Sequence, residues 1–464
     1  MNVLNWVKQK LSLWPKDYQY DTLPPEEMRA AMEHPFLRQC MVKFSRDEYK
    51  RNPYYKSVIN KLTNHVIGPT PAIIGLSENE EANNRMEDLY LEWSQFNGIG
   101  KSFRLLRRDA ALTGIGIMIP YPVTNGLHPI KLGYKVYGKD ALRTPMDTKP
   151  EDRIFDGIQF NSDWEPVKFH FIKDKLEDRR ITGRETVAYN ADDVIYWSAG
   201  FQNGVINPIP ECAEAFTIYP YIRRFLQAYV EGEEFKVSFP MALELNPQVY
   251  LPSQHMKDNP PYGAFEYTPK MVPTLPPGTE LKGLPTGTSS TEQTKLVRLV
   301  ASAAALCIDM PANLALGDSS NSNMSVAQVD MQPWKIKVQA DRFDLHPVFR
   351  KTFNEWYKRA VLIEEFLPTR VRRKYSQFFP HSYAFDNLFQ HPDPQKNANA
   401  RATDLSSGST TLSAIYAEKG KNAKRELQRE ADLLGISYEE LTTLILMGRT
   451  NGALELIGDE DGTE

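Results

Sequence analysis

Cysteine is scarce in this chain. Cys40, Cys212 and Cys307, in 464 residues, are too few, too odd in number and too scattered to build a disulfide framework. That scarcity points to a reducing compartment such as a cytosol, with the thiols packed as small apolar side chains. The eight histidines run from His34 to His391 with no HExxH spacing and no cysteine pair to complete a zinc site. An excess of one charge is also missing. Lysine plus arginine number 55 against 59 acidic residues, for a formal charge of −4, so no global basic field drives tight, salt-sensitive binding to phosphates. Any nucleic acid the chain meets is guided rather than gripped. Long apolar runs are absent as well. The longest near the centre, Leu299 to Ile308, is bounded by Arg298 and Asp309 and is half of the roughly 20 residues that a membrane span needs. The start, MNVLNWVKQKLSLWPKD, has Trp6, Lys8 and Lys10 but no continuous apolar core or small-residue cleavage site. It reads as a flexible or partner-contacting arm rather than a signal peptide.

What is present is ordinary for a folded soluble protein: 41% apolar and 25% charged residues, in a chain long enough for two or three compact units. Residues 26–66 read as helical, with Val58, Leu62 and Val66 at four-residue spacing before the Gly68-Pro69 stop. Further helices are predicted from Asn79 to about Phe96 and from Lys101 to Thr113. From Gly114 to Ala199 the texture changes to short β-rich runs such as GIMIPYPV, LGYKVYG and PVKFHFI. After Pro208 and Pro210, apolar residues from Phe216 to Val230 fall at helical steps, and Pro220 inside that pattern predicts a kink or break. A proline-dense stretch from Pro240 to about Thr288 excludes a long helix and favours short strands and turns. Next come a helical run, TEQTKLVRLVASAAALCIDMP, a polar loop, LALGDSSNSNMS, and a long amphipathic segment to Phe366. Beyond Pro380 a loop with HPDP leads into two or three helices and the acidic tail DEDGTE, which is expected to be disordered.

Sites for chemistry are weak. GIGKS, Gly98 to Ser102, invites a phosphate-loop reading around Lys101, but the required first glycine is Gln95 and the run follows a helical pattern. His381 and His391, near Asp386 and Asp393, form the one loose metal-like cluster, and local hydrogen bonding is the better reading. No GxSxG elbow appears. Asp192-Asp193 and Glu233-Glu234 read as caps or solvated faces. The basic clusters, Lys101 to Arg108, Arg223-Arg224, Arg370 to Lys374 and Lys419 to Arg429, read individually as solvated helix faces.

Five segments in order carry a resemblance: RDEYKRNPYYKSVINKLTNHVIG, DDVIYWSAGFQNGVINPIPECAEAFTIYPYIRRFLQAYVEG, LPPGTELKGLP, ALCIDMPANLALGDSSNSNMS and SSGSTTLSAIYAEKGKNAKRELQREADLL. Together they resemble tailed-bacteriophage portal proteins of the lambda type over most of residues 30–450. The resemblance implies an α+β portal fold with helical stem and crown, a β-rich wing and a small α/β clip, assembling as a cyclic ring, usually a dodecamer. It implies an N-terminal arm at 1–25 and a wing at 26–206, helical at first and β-rich from about 100. The first stem helix would be 207–238, the clip 239–290 and the second stem helix 291–307. A tunnel loop at 308–325, a tunnel helix and further wing at 326–366, and a crown and C-terminal tail at 367–464 complete it.

The implied function is a structural one. Such a ring sits at the capsid portal vertex of the virion, passes double-stranded DNA during packaging and ejection, nucleates head assembly, and docks terminase and then neck or tail proteins. Implied partners are other copies of the chain, double-stranded DNA, the terminase large subunit, major capsid and scaffold proteins, and neck or adaptor proteins, with no membrane and no cofactor. The ring would be made in the host cytoplasm. Gly317, Asp318, Ser319, Ser320, Asn321, Ser322 and Asn323 are the expected DNA-facing loop, with Arg223, Arg224, Lys295 and Arg298 as candidate stem or channel cations. The competing readings are a packaging or helicase-like ATPase using Lys101, and a different head or neck structural protein.

Overall fold

A computed structural model describes residues 35–124, 128–173, 185–198, 208–238, 241–245, 279–283, 290–317, 324–363, 366–385, 394–419 and 421–447. The chain divides into two compact units, one formed by 1–217 with 302–464 and the other by 218–301.

The first unit opens with helices α1 (Pro35–Arg51) and α2 (Pro53–Ile67). The sequence pattern reads as one helix through this region, but Asn52 divides it. Its extended backbone turns the chain while its side chain accepts hydrogen bonds from the amides of Tyr54 and Tyr55, and Pro53 occupies the first turn, where no amide is needed. Gly68, at φ 68°, ends α2. Strand β1 (Ala72–Gly75) and helices α3 (Glu80–Phe96) and α4 (Ile99–Thr113) follow. Asn79 caps α3 through Ala82, and the left-handed Gly98 and Gly114 bracket α4.

The β-rich region is two antiparallel sheets. Strands β2 (Gly116–Pro122), β3 (Leu132–Gly138) and β8 (Ile195–Trp197) form one in the order β3-β2-β8. The other holds β4 (Ile154–Phe155), β5 (Ile158–Phe160), β6 (Pro166–Ile172) and β7 (Thr186–Asn190) in sequence order. Their buried faces share one core of Ile117, Ile119, Leu142, Ile158, Phe169 and Phe171. Alternation along β5, where Ile158 and Phe160 point in and Gln159 is half-exposed, is the period-two pattern of a one-sided sheet.

The rest of this unit returns from far along the chain. Helix α7 (Ala312–Leu316) is followed by α8 (Met324–Asp344), α9 (His346–Ala360), α10 (Thr369–Lys374) and strand β11 (His381–Ala384). Strand β11 pairs antiparallel with β1, Ile73 opposite Tyr383, so residues some 300 positions apart close one body. Aromatic rings fill the space between α3, α4 and α9. Tyr90 meets Trp356 edge-on at 5.0 Å and Phe103 meets Phe349 at 4.9 Å, the offset geometry that aromatic quadrupoles favour. Helices α11 (Pro394–Ser406), α12 (Leu412–Glu418) and α13 (Ala423–Leu434), with residues 438–447 also helical, follow. Leu427, Ala431 and Leu441 make their small core, and Asn422 donates to Glu87 of α3 at 3.0 Å.

The second unit contains α5 (Tyr219–Ser238) and the antiparallel pair β9 (Met241–Leu245) and β10 (Thr279–Gly283), with α6 (Ser290–Ala305) starting in it. Pro220 neither kinks nor breaks α5. The helix begins at Tyr219, so Pro220 sits in the first turn, and the preceding Ala213–Thr217 is a 3-10 segment. The expected arm at 1–25, most of the proline-dense stretch and the acidic tail lie outside the described residues.

Candidate functional site

The polar loop is held at both flanks by one helix, α2. On the upstream side, the five-residue α7 ends at Gly317, whose φ of 70° lets its amide return to Asn313 and Leu314. Lys61 of α2 donates from Nζ to the carbonyls of Leu314 and of Ala315, the latter at 3.3 Å. A cation at the open C-terminal end of a helix meets carbonyls that have no partner within it. On the downstream side, the indole Nε1 of the fully buried Trp334 in α8 donates to His65 Nδ1 at 2.9 Å. Arg342 of α8 donates to the carbonyls of Val66 and His65, the last turn of α2. Lys61 and His65, one helical turn apart, therefore seat the two flanks of residues 318–323 on one rigid element. Burial holds the Lys61 ammonium below its ordinary range. We expect Lys61→Met to remove about 1–2 kcal/mol of local stability at this seat, read as faster proteolytic cleavage between α7 and α8 with the melting temperature little changed.

Trp334 needs a neutral His65. Burial, then the charges of Lys61 and Arg342, hold the His65 imidazole below its usual range. A base with a depressed folded pKa contributes stability that is fully present above the ordinary histidine pKa and is lost as pH falls through the folded one. Acidification below about pH 6.5 is thus expected to lower the melting temperature progressively. His65→Gln, whose amide oxygen can accept from Trp334 without titrating, is expected to flatten that dependence in melts recorded across the pH range.

A buried charge cluster ties α8 to the segment that leads into α5. Arg107 of α4 is fully buried and donates to both carboxylate oxygens of Glu211, at 2.6 and 2.9 Å, and to Asp341 of α8 at 2.7 Å. Lys337, one turn before Asp341, donates to its other oxygen at 2.6 Å. Two cations face two carboxylates, and the guanidinium lies 4.7 Å from the centre of the Trp197 ring. Burial works against ionisation of both partners. For Asp341 the Arg107 and Lys337 charges and hydrogen bonds outweigh it and hold the carboxyl below its ordinary range. For Arg107 the two carboxylates keep the guanidinium charged. Three chain segments thereby share one bidentate joint. Local sequence reads Arg107 as part of a solvated basic face. Its partners are 104 and 234 residues away, and only the four-residue spacing of Lys337 and Asp341 is a local signal.

Gly317 is the cap of α7, while Asp318, Ser319, Ser320, Asn321, Ser322 and Asn323 lie outside the described residues. Arg223 and Arg224 are half-buried on α5; on α6, Lys295 is exposed and Arg298 half-buried, three residues apart on neighbouring positions of one face. Lys101 is exposed in the first turn of α4, which follows helix α3 rather than a strand, so the strand, loop and helix order of a phosphate loop is not there. The His381 ring packs 3.9 Å from Phe353 and bonds the carbonyl of Phe379 and the hydroxyl of Tyr383. His391, Asp386 and Asp393 are outside the described residues.

A family model described as phage portal protein, lambda family, matches residues 24–339. A comparison with curated protein sequences found no match. Similar solved structures include the neck of an empty GTA particle computed with C6 symmetry, 13% identical over 85% of this chain and 93% of that one, with a TM-score of 0.46. The neck of a native GTA particle computed with C12 symmetry is 13% identical over 73% of this chain and 94% of that one, TM-score 0.37. An HK97 family phage portal protein from Corynebacterium diphtheriae is 12% identical over 65% and 91%, TM-score 0.29. The family match runs from ahead of α1 into α8, well over half of the chain, and the protein belongs to the lambda family of phage portal proteins.

Proposed function

We propose that copies of this chain close into a ring at the portal vertex of a capsid and act there, without catalysis, as the conduit for double-stranded DNA. One observation carries the reading beyond family membership: the flanks of the Gly/Ser/Asn loop are both seated on α2, through Lys61 and through His65 with the α2 C-terminus. A short polar loop on a rigid seat touches phosphates and releases them, and the near-neutral charge of the chain keeps DNA from being trapped. Within this reading the unit 218–301 is stem and clip, 308–325 is the tunnel loop, and α11 to α13 belong to the crown. Arg223, Arg224, Lys295 and Arg298 serve as weak, repeated phosphate contacts. The ring nucleates head assembly in the host cytoplasm with capsid and scaffold proteins, then docks the terminase large subunit and later neck proteins through the clip.

The test is localisation in assembled heads. With the chain tagged and co-expressed with its capsid proteins, the label is expected at a single vertex per particle; label spread over all vertices would overturn the proposal. The same rings are expected to hydrolyse no ATP, and hydrolysis abolished by Lys101→Ala would shift the reading to the packaging ATPase.

A further inference from the structure

Helix α8 buries one face and leaves the opposite one bare. Trp334, Val338, Asp341 and Leu345 at its end are buried. On the other side Val326, Val329, Ile336 and Phe343 are 54%, 69%, 67% and 74% exposed, and Pro333 and Ala340 between them are exposed as well. Positions 326, 333, 340 and 329, 336, 343 each repeat every seven residues. At 3.6 residues per turn the six fall within about 100° of arc, the seam of a helix that packs lengthwise on another helix. A solvated helix face carries charged and polar residues. A row of Val, Ile and Phe there is the kind of apolar patch that marks an interaction site.

The chain carries a second stripe of the same kind. Leu299 on α6 and Leu306 just beyond it, seven residues apart, are both 68% exposed, with Ala303 exposed between them. Exposed Asp330 and Asp344 edge the α8 seam, with Lys337 between them bonded to Asp341, whereas the α6 stripe has exposed Lys295 ahead of it and exposed Asp309 beyond it. Two unlike apolar stripes on one chain are what a head-to-tail contact requires, because the surface given to one neighbour differs from the surface given to the other. A two-fold contact would need a single self-complementary surface, and Asp330 and Asp344 would then face their own copies.

We propose that the α8 seam of one copy receives the α6 stripe of a second copy, and that this contact closes the ring. The proposal rests on the ring reading above and names its interface. The seam is offered on the face of α8 opposite the one anchored to α2 and Arg107, so each tunnel helix is gripped on one side by its own chain and on the other by its neighbour.

The test uses two variants of the full chain, Ile336→Lys with Phe343→Lys, and Leu299→Glu with Leu306→Glu, with particle mass read by light scattering. Wild type is expected to form a ring, and each variant alone is expected to keep the wild-type far-ultraviolet circular dichroism and the mass of one chain. Mixed, they are expected to reach at least twice that mass, because an intact seam then meets an intact stripe. If the seam variant still closes rings, or if the mixture stays at one chain, the proposal fails while the ring reading stands. Two-chain particles as the end product of wild type would overturn it too. Wild type that stays a single chain would instead overturn the ring reading itself. Should a lysine variant melt, Val329→Ser with Ile336→Ser removes the seam without adding charge and is read the same way.

Discussion

Arg107→Ala is expected to lower the stability of the first unit by roughly 3–5 kcal/mol, the cost of removing one partner from a buried ion pair. The loss is large because the replacement leaves Glu211 without the guanidinium that both its oxygens accept from, and takes from Asp341 the cation that joins Lys337 in holding it. At about 2.1 cal/mol/K of unfolding entropy per residue, a body the size of the first unit shifts by about 1.3 °C per kcal/mol, so the melting temperature should fall by roughly 5 °C. Neutralising the stranded groups as well, with Arg107→Met, Glu211→Gln and Asp341→Asn, is expected to recover much of the loss, since the penalty belongs to uncompensated charge rather than to the missing contact. If Arg107→Ala melts within a degree of wild type, the cluster is not the joint described here. Acid should loosen the same joint. The Asp341 carboxyl is held below its ordinary range, so its contribution is complete above that range and disappears as pH falls through the lowered value.

Gly114→Ala should be comparably damaging, for a different reason. Gly114 ends α4 at φ 90°, with its amide returned to Ala110, and a Cβ there would lie 2.4 Å from the carbonyl oxygen of Pro208 and 2.5 Å from its carbon. The left-handed backbone costs an L side chain about 1–3 kcal/mol by itself, and the clash adds to it because both obstructing atoms are backbone. Gly98→Ala separates the two effects. Gly98 shares the left-handed backbone, with φ 62° and ψ 39°, but has nothing within 4 Å of its Cβ position, so it should show the strain alone, as a visibly smaller drop in melting temperature than Gly114→Ala. Equal drops would mean that the approach of Pro208 to α4 carries no weight.

Much of the fold was legible because its signals are local. Asn79 marks the start of α3, and the apolar positions Phe103, Leu105, Leu106 and Leu112 mark α4, both within two residues of where they lie. The β-rich stretch after Gly114 resolves into strands β2 to β8. Asn52-Pro53, a cap followed by a first-turn proline, was a readable helix boundary masked by apolar spacing that continues on both sides of it. Helical spacing that extends back to Phe216 makes Pro220 look like an interruption, whereas that turn is 3-10. The joint at Arg107 and the seat at Lys61 and His65 could not be read locally. An arginine in a basic helix looks solvated until the fold brings Glu211 and Asp341 to it, and no local pattern announces that Lys61 will cap a helix some 250 residues later. The family resemblance names none of these contacts.

Electron microscopy of the purified full chain, with particle mass measured alongside, tests the central claim most directly. Closed rings around a channel wide enough for duplex DNA are expected. Particles without a central opening, or a homogeneous single chain that binds nucleotide through Lys101, would contradict it.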